Sequence, residues 1–314
     1  MLKFLLSTLL LLTFCTSKES MISENIYLNG KVVDKQVSDV KILVYADSNT
    51  SVFNNFLKKN NIQKVGFVND VQFLDKSNKF SFSAKLLDQE LQRAYPNKLE
   101  QGIAYIDLEA PYLEYLMNGD INSLEFKRSK KLFLDVLFYV KKSRPNVKWG
   151  YYYVPFTTYW GRTDQFYKKD DRISDIIKNS DVLFPSIYIF YNKLNFSLEN
   201  KSYLSENTKE IIKIAQKYNK EVYPMIMSRY HPSNASLGYE TLSESDFKLY
   251  IATIKNTQYK GKSVDGIMLW NADGYSNRIK EPKLKQELVR SKLNFENFYD
   301  QYLMSILSIM IENK

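Results

Sequence analysis

Two carboxylates stand two residues apart at the end of an otherwise apolar segment, Gly102-Ile103-Ala104-Tyr105-Ile106-Asp107-Leu108-Glu109. In an extended strand alternate residues share a face, so Asp107 and Glu109 point the same way with their Cα atoms roughly 6.6 Å apart. Two carboxyl groups at the end of a buried strand are costly to ionise together. Each raises the pKa of the other, and a carboxyl that keeps its proton near neutral pH is what a general acid requires. Such a group can protonate a leaving oxygen. An Asp-x-Glu pair also has a plainer reading, in which one carboxylate caps the next helix and the other pairs with a Lys or Arg.

Other chemistries find little support. His231 is the sole histidine and Cys15 the sole cysteine, so neither a zinc site nor a histidine base is expected. His231, within Arg229-Tyr230-His231-Pro232, reads as a loop residue at a cleft rim. No Gly-rich phosphate loop follows the first strand-like run, which argues against a nucleotide-binding sheet. No cofactor and no metal are implied.

The elements that must carry the carboxylates alternate. Strand-like runs fall at 41–46, 64–69, 102–109, 149–155, 182–190, 221–227 and 264–270, with helical patterns clearest at 123–142, 202–218, 243–256 and 282–312. About seven strands separated by helices predict an α/β fold with a parallel sheet, and repeated βα units of this length suit a barrel. In such a barrel the C-terminal strand ends carry the chemistry. Those ends hold Asp107 and Glu109, then Tyr151, Tyr153 and Pro155, then Tyr188, then Trp270 with Asn271-Ala272-Asp273-Gly274-Tyr275. Tyr151 and Tyr153 share a strand face, where core packing competes with ligand contact. Tyr159-Trp160 suits a stacking platform or a packed lid.

Residues 1–20 read as an export signal and tether. Lys3 precedes a short apolar run, Phe4 to Phe14, too short to span a bilayer as a helix. Cys15 ends that run in a sequence similar to a bacterial lipobox, with Phe14 where a small residue is usual. Cys15 is thus either a lipid anchor, through which alone membrane association is expected, or a residue discarded with an ordinary cleaved signal. The remainder, 21–314, is expected to be a single catalytic β/α-barrel domain, exported to a cell surface or periplasm or secreted. It has no cysteine pair, which favours a bacterial over an animal secreted protein. The net charge of +9 favours an anionic partner. No basic run is dense enough for a nucleic-acid arm; anionic lipid and an acidic polysaccharide both stay open, since the charge fits an acidic glycan without selecting it.

Five blocks in order resemble the hyaluronidase family of glycoside hydrolases: 102–109, Trp149-Gly150-Tyr151-Tyr152-Tyr153-Val154-Pro155, Phe184-Pro185-Ser186-Ile187-Tyr188, Ser243-Glu244-Ser245-Asp246-Phe247, and Gly266-Ile267-Met268-Leu269-Trp270 with Asp273-Gly274-Tyr275. The resemblance implies a distorted (β/α) TIM-like barrel. It implies retaining cleavage of β-linked N-acetylhexosamine in an acidic polysaccharide such as hyaluronan or chondroitin, assisted by the substrate's own acetamido oxygen. Carried over, Glu109 is the acid/base, Asp107 holds the acetamido N–H, Tyr188 positions that group and Trp270 walls its pocket. Tyr153 and Tyr275 are further expected sugar contacts. Departures fall on substrate contacts. Ala110, Pro111 and Tyr112 follow Glu109 where the family has Trp-Arg-Pro, and Met225 stands where it offers a Tyr, a place Tyr230 would fill in a shifted register. Two alternatives stay open: a catalytically inactive surface glycan-binding protein of the same fold, and a barrel hydrolase of another family acting on a neutral glycan.

Overall fold

The structure is a computed structural model. It describes residues 40–312 and, before them, a short antiparallel pair, β1 (Tyr27–Leu28) and β2 (Lys31–Val32). The expected leader and tether, with Cys15, lie outside the described residues. The chain divides into two units, Met1–Ser38 and Asp39–Lys314. The second holds the barrel.

Its strands are β3 (Lys41–Tyr45), β4 (Gln63–Lys64), β5 (Gly66–Asn69), β6 (Gly102–Asp107), β7 (Val147–Tyr151), β8 (Val182–Leu183), β9 (Glu221–Val222), β10 (Met225–Ile226) and β11 (Gly266–Trp270). All pair in parallel, in the runs β10-β11-β3-β4, β5-β6-β7 and β8-β9. The ladders fall into separate short sheets rather than one continuous closed sheet. Val65 alone separates β4 from β5. Past β7, Tyr152 bridges Phe184, and Ser186 bridges Met225. The pairings therefore lead from β3 round to β3 again, as in a distorted barrel. A Cβ at Gly150 would collide with the Val182 carbonyl, so glycine is what lets β7 and β8 approach.

Prolines explain why some strands are shorter than the sequence suggests. Pro224 separates β9 from β10, and Pro185 follows just after β8; neither has an N–H for a ladder. Tyr153 ends the run after β7 with φ +61, out of the extended region. The expected helix at 282–312 is two, Pro282–Ser291 and Phe295–Glu312, because Lys292 turns left-handed at φ 56. The helix expected at 202–218 begins earlier, at Lys193, and kinks at Phe196.

The pleat sorts side chains into two cores. Leu43, Ile103, Tyr105, Phe184, Tyr223, Met225, Met227 and Met268 fill the barrel interior. Their neighbours Ile42, Val44, Ala104, Ile106, Val222, Ile267 and Leu269 face outward and meet the helices. Leu124–Ser143 shows how a helix joins that layer. Ser123 caps it by accepting the Phe126 N–H at 3.1 Å, and Phe126, Phe133, Val136, Leu137 and Val140 are buried at three- and four-residue spacing.

Candidate active site

Asp107 continues the inward series Ile103, Tyr105, Asp107, Glu109, while Leu108 between the carboxylates turns into the outer core at 1% exposure. The two carboxyls share a hydrogen bond. Burial pushes Asp107 well above the ordinary carboxylate range, and the charge and hydrogen bond of Glu109 and the charge of Asp70 push it further. Glu109 is open to the cleft by surface area. The protein crowding round it still raises its carboxyl, the bond with Asp107 lowers it, and Asp70 raises it again. The pair titrates as a unit that retains one proton to higher pH than an isolated carboxyl would. Asp70 begins the short helix Asp70–Phe73 directly after β5, and its Oδ2 accepts the Glu109 N–H at 3.1 Å. Burial raises its own pKa, against backbone bonds from Glu109 and Val71 that lower it.

A pocket of about 120 Å³ opens on the carboxylates, walled by Tyr105, Tyr152, Tyr188, His231, Pro232 and Trp270. Its rings stack in sequence: Tyr152 on Tyr188 at 6.1 Å, Tyr188 on His231 at 5.7 Å and on Trp270 at 5.9 Å. Trp270 Nε1 donates to the Tyr105 hydroxyl at 2.9 Å, which fixes the indole over the barrel mouth. Burial holds the phenols of Tyr152 and Tyr188 above their ordinary pKa, so both are neutral donors. Burial also pushes His231 down to about 4. Its Nδ1 accepts the Ser233 N–H at 3.2 Å, leaving the proton of the neutral ring on Nε2. On the other side of Trp270 lies a larger cleft of about 520 Å³, reaching Tyr45, Asp47, Phe67, Asp70, Tyr275 and Arg278.

Asp107, Glu109, Tyr188 and Trp270 thus meet in one pocket. Tyr275 stands on the rim of the larger cleft at 53% exposure. Tyr153 does not join them. Its hydroxyl donates to the Thr157 carbonyl at 2.7 Å and its ring packs on the outer core. Tyr151, at the end of β7, belongs to the outward face and Tyr152 to the inward one, and Tyr153, beyond the strand with φ +61, leaves the alternation and turns to the outer core. Met225 lies inside the barrel at 0% exposure, below the pocket. Tyr230 does not take its place; it packs in the outer core, and the next residue, His231, reaches Tyr188. Asp273, the carboxylate nearest by strand end, is buried and held by Arg229, Nε to Oδ1 at 2.8 Å and Nη2 to Oδ2 at 2.9 Å. His231, expected at a cleft rim, walls the pocket, whereas Asp70 and Tyr152 were not legible as site residues. Asp70 did carry a signal, since it follows the strand-like run 64–69 at the same end as Asp107.

A family model described as hyaluronidase matches residues 87–306, well over half of the 314-residue chain. Hyaluronidase-2 of Ovis aries is 28% identical over 179 residues, covering 52% of this chain and 35% of that protein. Hyaluronidase A of Vespa velutina is 26% identical over 236 residues, covering 64% of this chain and 66% of that one. The match to the sheep protein therefore spans about a third of its length. Bee venom hyaluronidase, solved in complex with a hyaluronic acid tetramer, superposes with a TM-score of 0.56 at 17% identity, covering 80% of this chain and 96% of that one. That likeness is one of fold.

Proposed function

The chain belongs to the hyaluronidase family, and on that premise we propose that it is a glycoside hydrolase cleaving β-linked N-acetylhexosamine in an acidic polysaccharide such as hyaluronan or chondroitin. One observation carries the reading: two neighbouring carboxyls, both raised above the ordinary range, stand at the mouth of a pocket walled by stacked aromatic rings. Glu109, the more exposed of the pair, donates its proton to the leaving glycosidic oxygen and later takes one from the incoming water. Asp107, half-buried beside it, accepts the acetamido N–H and turns the acetamido oxygen toward the anomeric carbon. That oxygen attacks, so the first-formed intermediate is a cyclic oxazolinium of the substrate and not an ester of the enzyme. Asp273 is spent on Arg229 and offers no competing nucleophile. Tyr188 and Trp270 hold the acetamido group in place, and an attack made intramolecular in this way can lower the barrier by roughly 7–11 kcal/mol at best. Tyr152 and His231 are further donors to the same sugar, and Tyr275 offers a ring face to the next one.

Release of reducing ends from hyaluronan, chondroitin and chitin-type oligomers tests the activity and separates acidic from neutral glycans. Glu109→Gln is expected to fold normally and lose at least 10²–10⁴-fold in kcat, roughly the worth of a positioned general acid. A thiazoline mimic of the cyclised intermediate should inhibit strongly. Near-normal turnover by the purified variant, or a glycosyl group trapped on an enzyme carboxylate, would overturn this mechanism.

A further inference from the structure

The cleft beside the dyad is itself acidic, with Asp47, Asp70, Asp107 and Glu109 all lining the larger cavity. A uronate entering it meets like charges and needs a cation. Among the described residues lining this cavity and the two that adjoin it at Trp270, the fixed cations are Arg229 and Arg278, since His231 is neutral above about pH 4. Arg229 is saturated. Its buried guanidinium holds Asp273 and Glu287, the Tyr239 carbonyl and the Thr241 hydroxyl.

Arg278 is differently placed. It ends the helix Asp273–Arg278, which starts just beyond Trp270. Its side chain is 66% exposed, its Nη1 meets Asp47 Oδ2 at 3.2 Å, and its guanidinium lies over the Tyr275 ring at 5.9 Å. Asp47 is the fixed member of the pair. Its Oδ1 accepts the Tyr45 hydroxyl at 2.9 Å, and its backbone N–H donates to the Tyr299 hydroxyl at 3.1 Å. A Cβ at Gly274 would stand 2.5 Å from Asp47 Oδ2, so the helix that ends in Arg278 approaches this carboxylate as closely as a glycine permits.

Resting on the reading of an acidic polysaccharide as substrate, the geometry points to Arg278 as the residue that selects the substrate's carboxylate, with Asp47 as the counter-charge it is drawn away from. A guanidinium offers five N–H groups in a fork that fits a carboxylate through two parallel bonds, and the pair with Asp47 uses one nitrogen. Asp47 holds the guanidinium at the cleft wall in the free protein and competes for it when the uronate arrives. Tyr275 supports both the guanidinium and the sugar face.

The two charges therefore act in opposite directions, and paired variants read this out. Binding is measured by calorimetry in the full chain carrying Glu109→Gln, with Arg278→Gln or Asp47→Asn added. The probes are hyaluronan oligosaccharides and the same oligosaccharides with their carboxyls reduced to alcohols. Arg278→Gln is expected to cut the preference for the anionic over the reduced oligosaccharide about tenfold, the scale of a hydrogen bond between charged groups. Asp47→Asn is expected to increase that preference. Equal losses on both probes, a fall in the preference for both variants, or no preference in the parent would overturn the assignment. Turnover is scored separately in the unsubstituted chain, so a protein that binds with the expected charge preference but does not cleave sinks the hydrolase reading and leaves this one standing.

Discussion

At the scale of single residues, the proposed mechanism turns on where one proton is held. Asp107 and Glu109 retain it because burial penalises their ionised forms and because Asp70 adds a third negative charge beside them. Both folded-state pKa values are raised, so the proton that the proposed mechanism needs is present at low pH and lost as pH climbs through the raised values of the pair. The rate is therefore expected to fall along an alkaline limb. Asp70→Asn keeps an acceptor for the Glu109 N–H and removes the charge, so that limb should move to lower pH. A pH–rate profile of kcat/KM checks this, and an unmoved limb would show that Asp70 only shapes the backbone. The dyad itself was legible in the sequence, because period-two alternation puts Asp107 and Glu109 on one face whatever surrounds them. Asp70 was not, because its proximity to Glu109 depends on β5 lying beside β6.

At the scale of elements, the pocket depends on two loops arriving together. His231 and Pro232 come from the segment after β10, and Trp270, which ends β11, leads through Asn271 and Ala272 into the helix Asp273–Arg278. Arg229 ties them, holding Asp273 at the start of the helix after β11 and Glu287 on the helix beyond, with its guanidinium 4.8 Å from the Tyr302 ring centroid. Replacing it with methionine keeps much of the volume and strands two carboxylates. Breaking a buried pair in this way costs about 3–5 kcal/mol. Arg229→Met is thus expected to lower unfolding free energy by that amount in urea titration and to weaken oligosaccharide binding. A loss below about 1 kcal/mol would show that the loops are held by packing. The choice between Tyr152 and Tyr153 belongs to this scale too. The local pattern says that neighbours face opposite ways, yet three consecutive tyrosines carry no mark of which face is inward. Only the packing of Tyr151 against Phe133, at 4.5 Å between ring centroids, assigns it.

At the scale of the whole molecule, the chain carries a net charge of +9 while the cavity beside the dyad is lined by four carboxylates and Arg278. Attraction of an anionic polymer must come from the wider surface, and capture at the site from a few groups. Surface attraction is screened over about 10 Å at 0.1 M salt. Affinity for long hyaluronan is expected to fall steeply between low and physiological salt, while that for a tetrasaccharide falls less. Equal salt slopes, measured by calorimetry, would show that the distributed charge plays no part. The sequence alone determined the alternation of strands and helices, the carboxylate pair at a strand end, and the order of blocks that marks the family, because each is written in local spacing. Tertiary structure decided which residues share a cavity with those carboxylates. Asp70, Tyr152, His231 and Arg278 come from four different segments, and what joins them is the return of the strand pairings to β3, a long-range closure that no local pattern encodes.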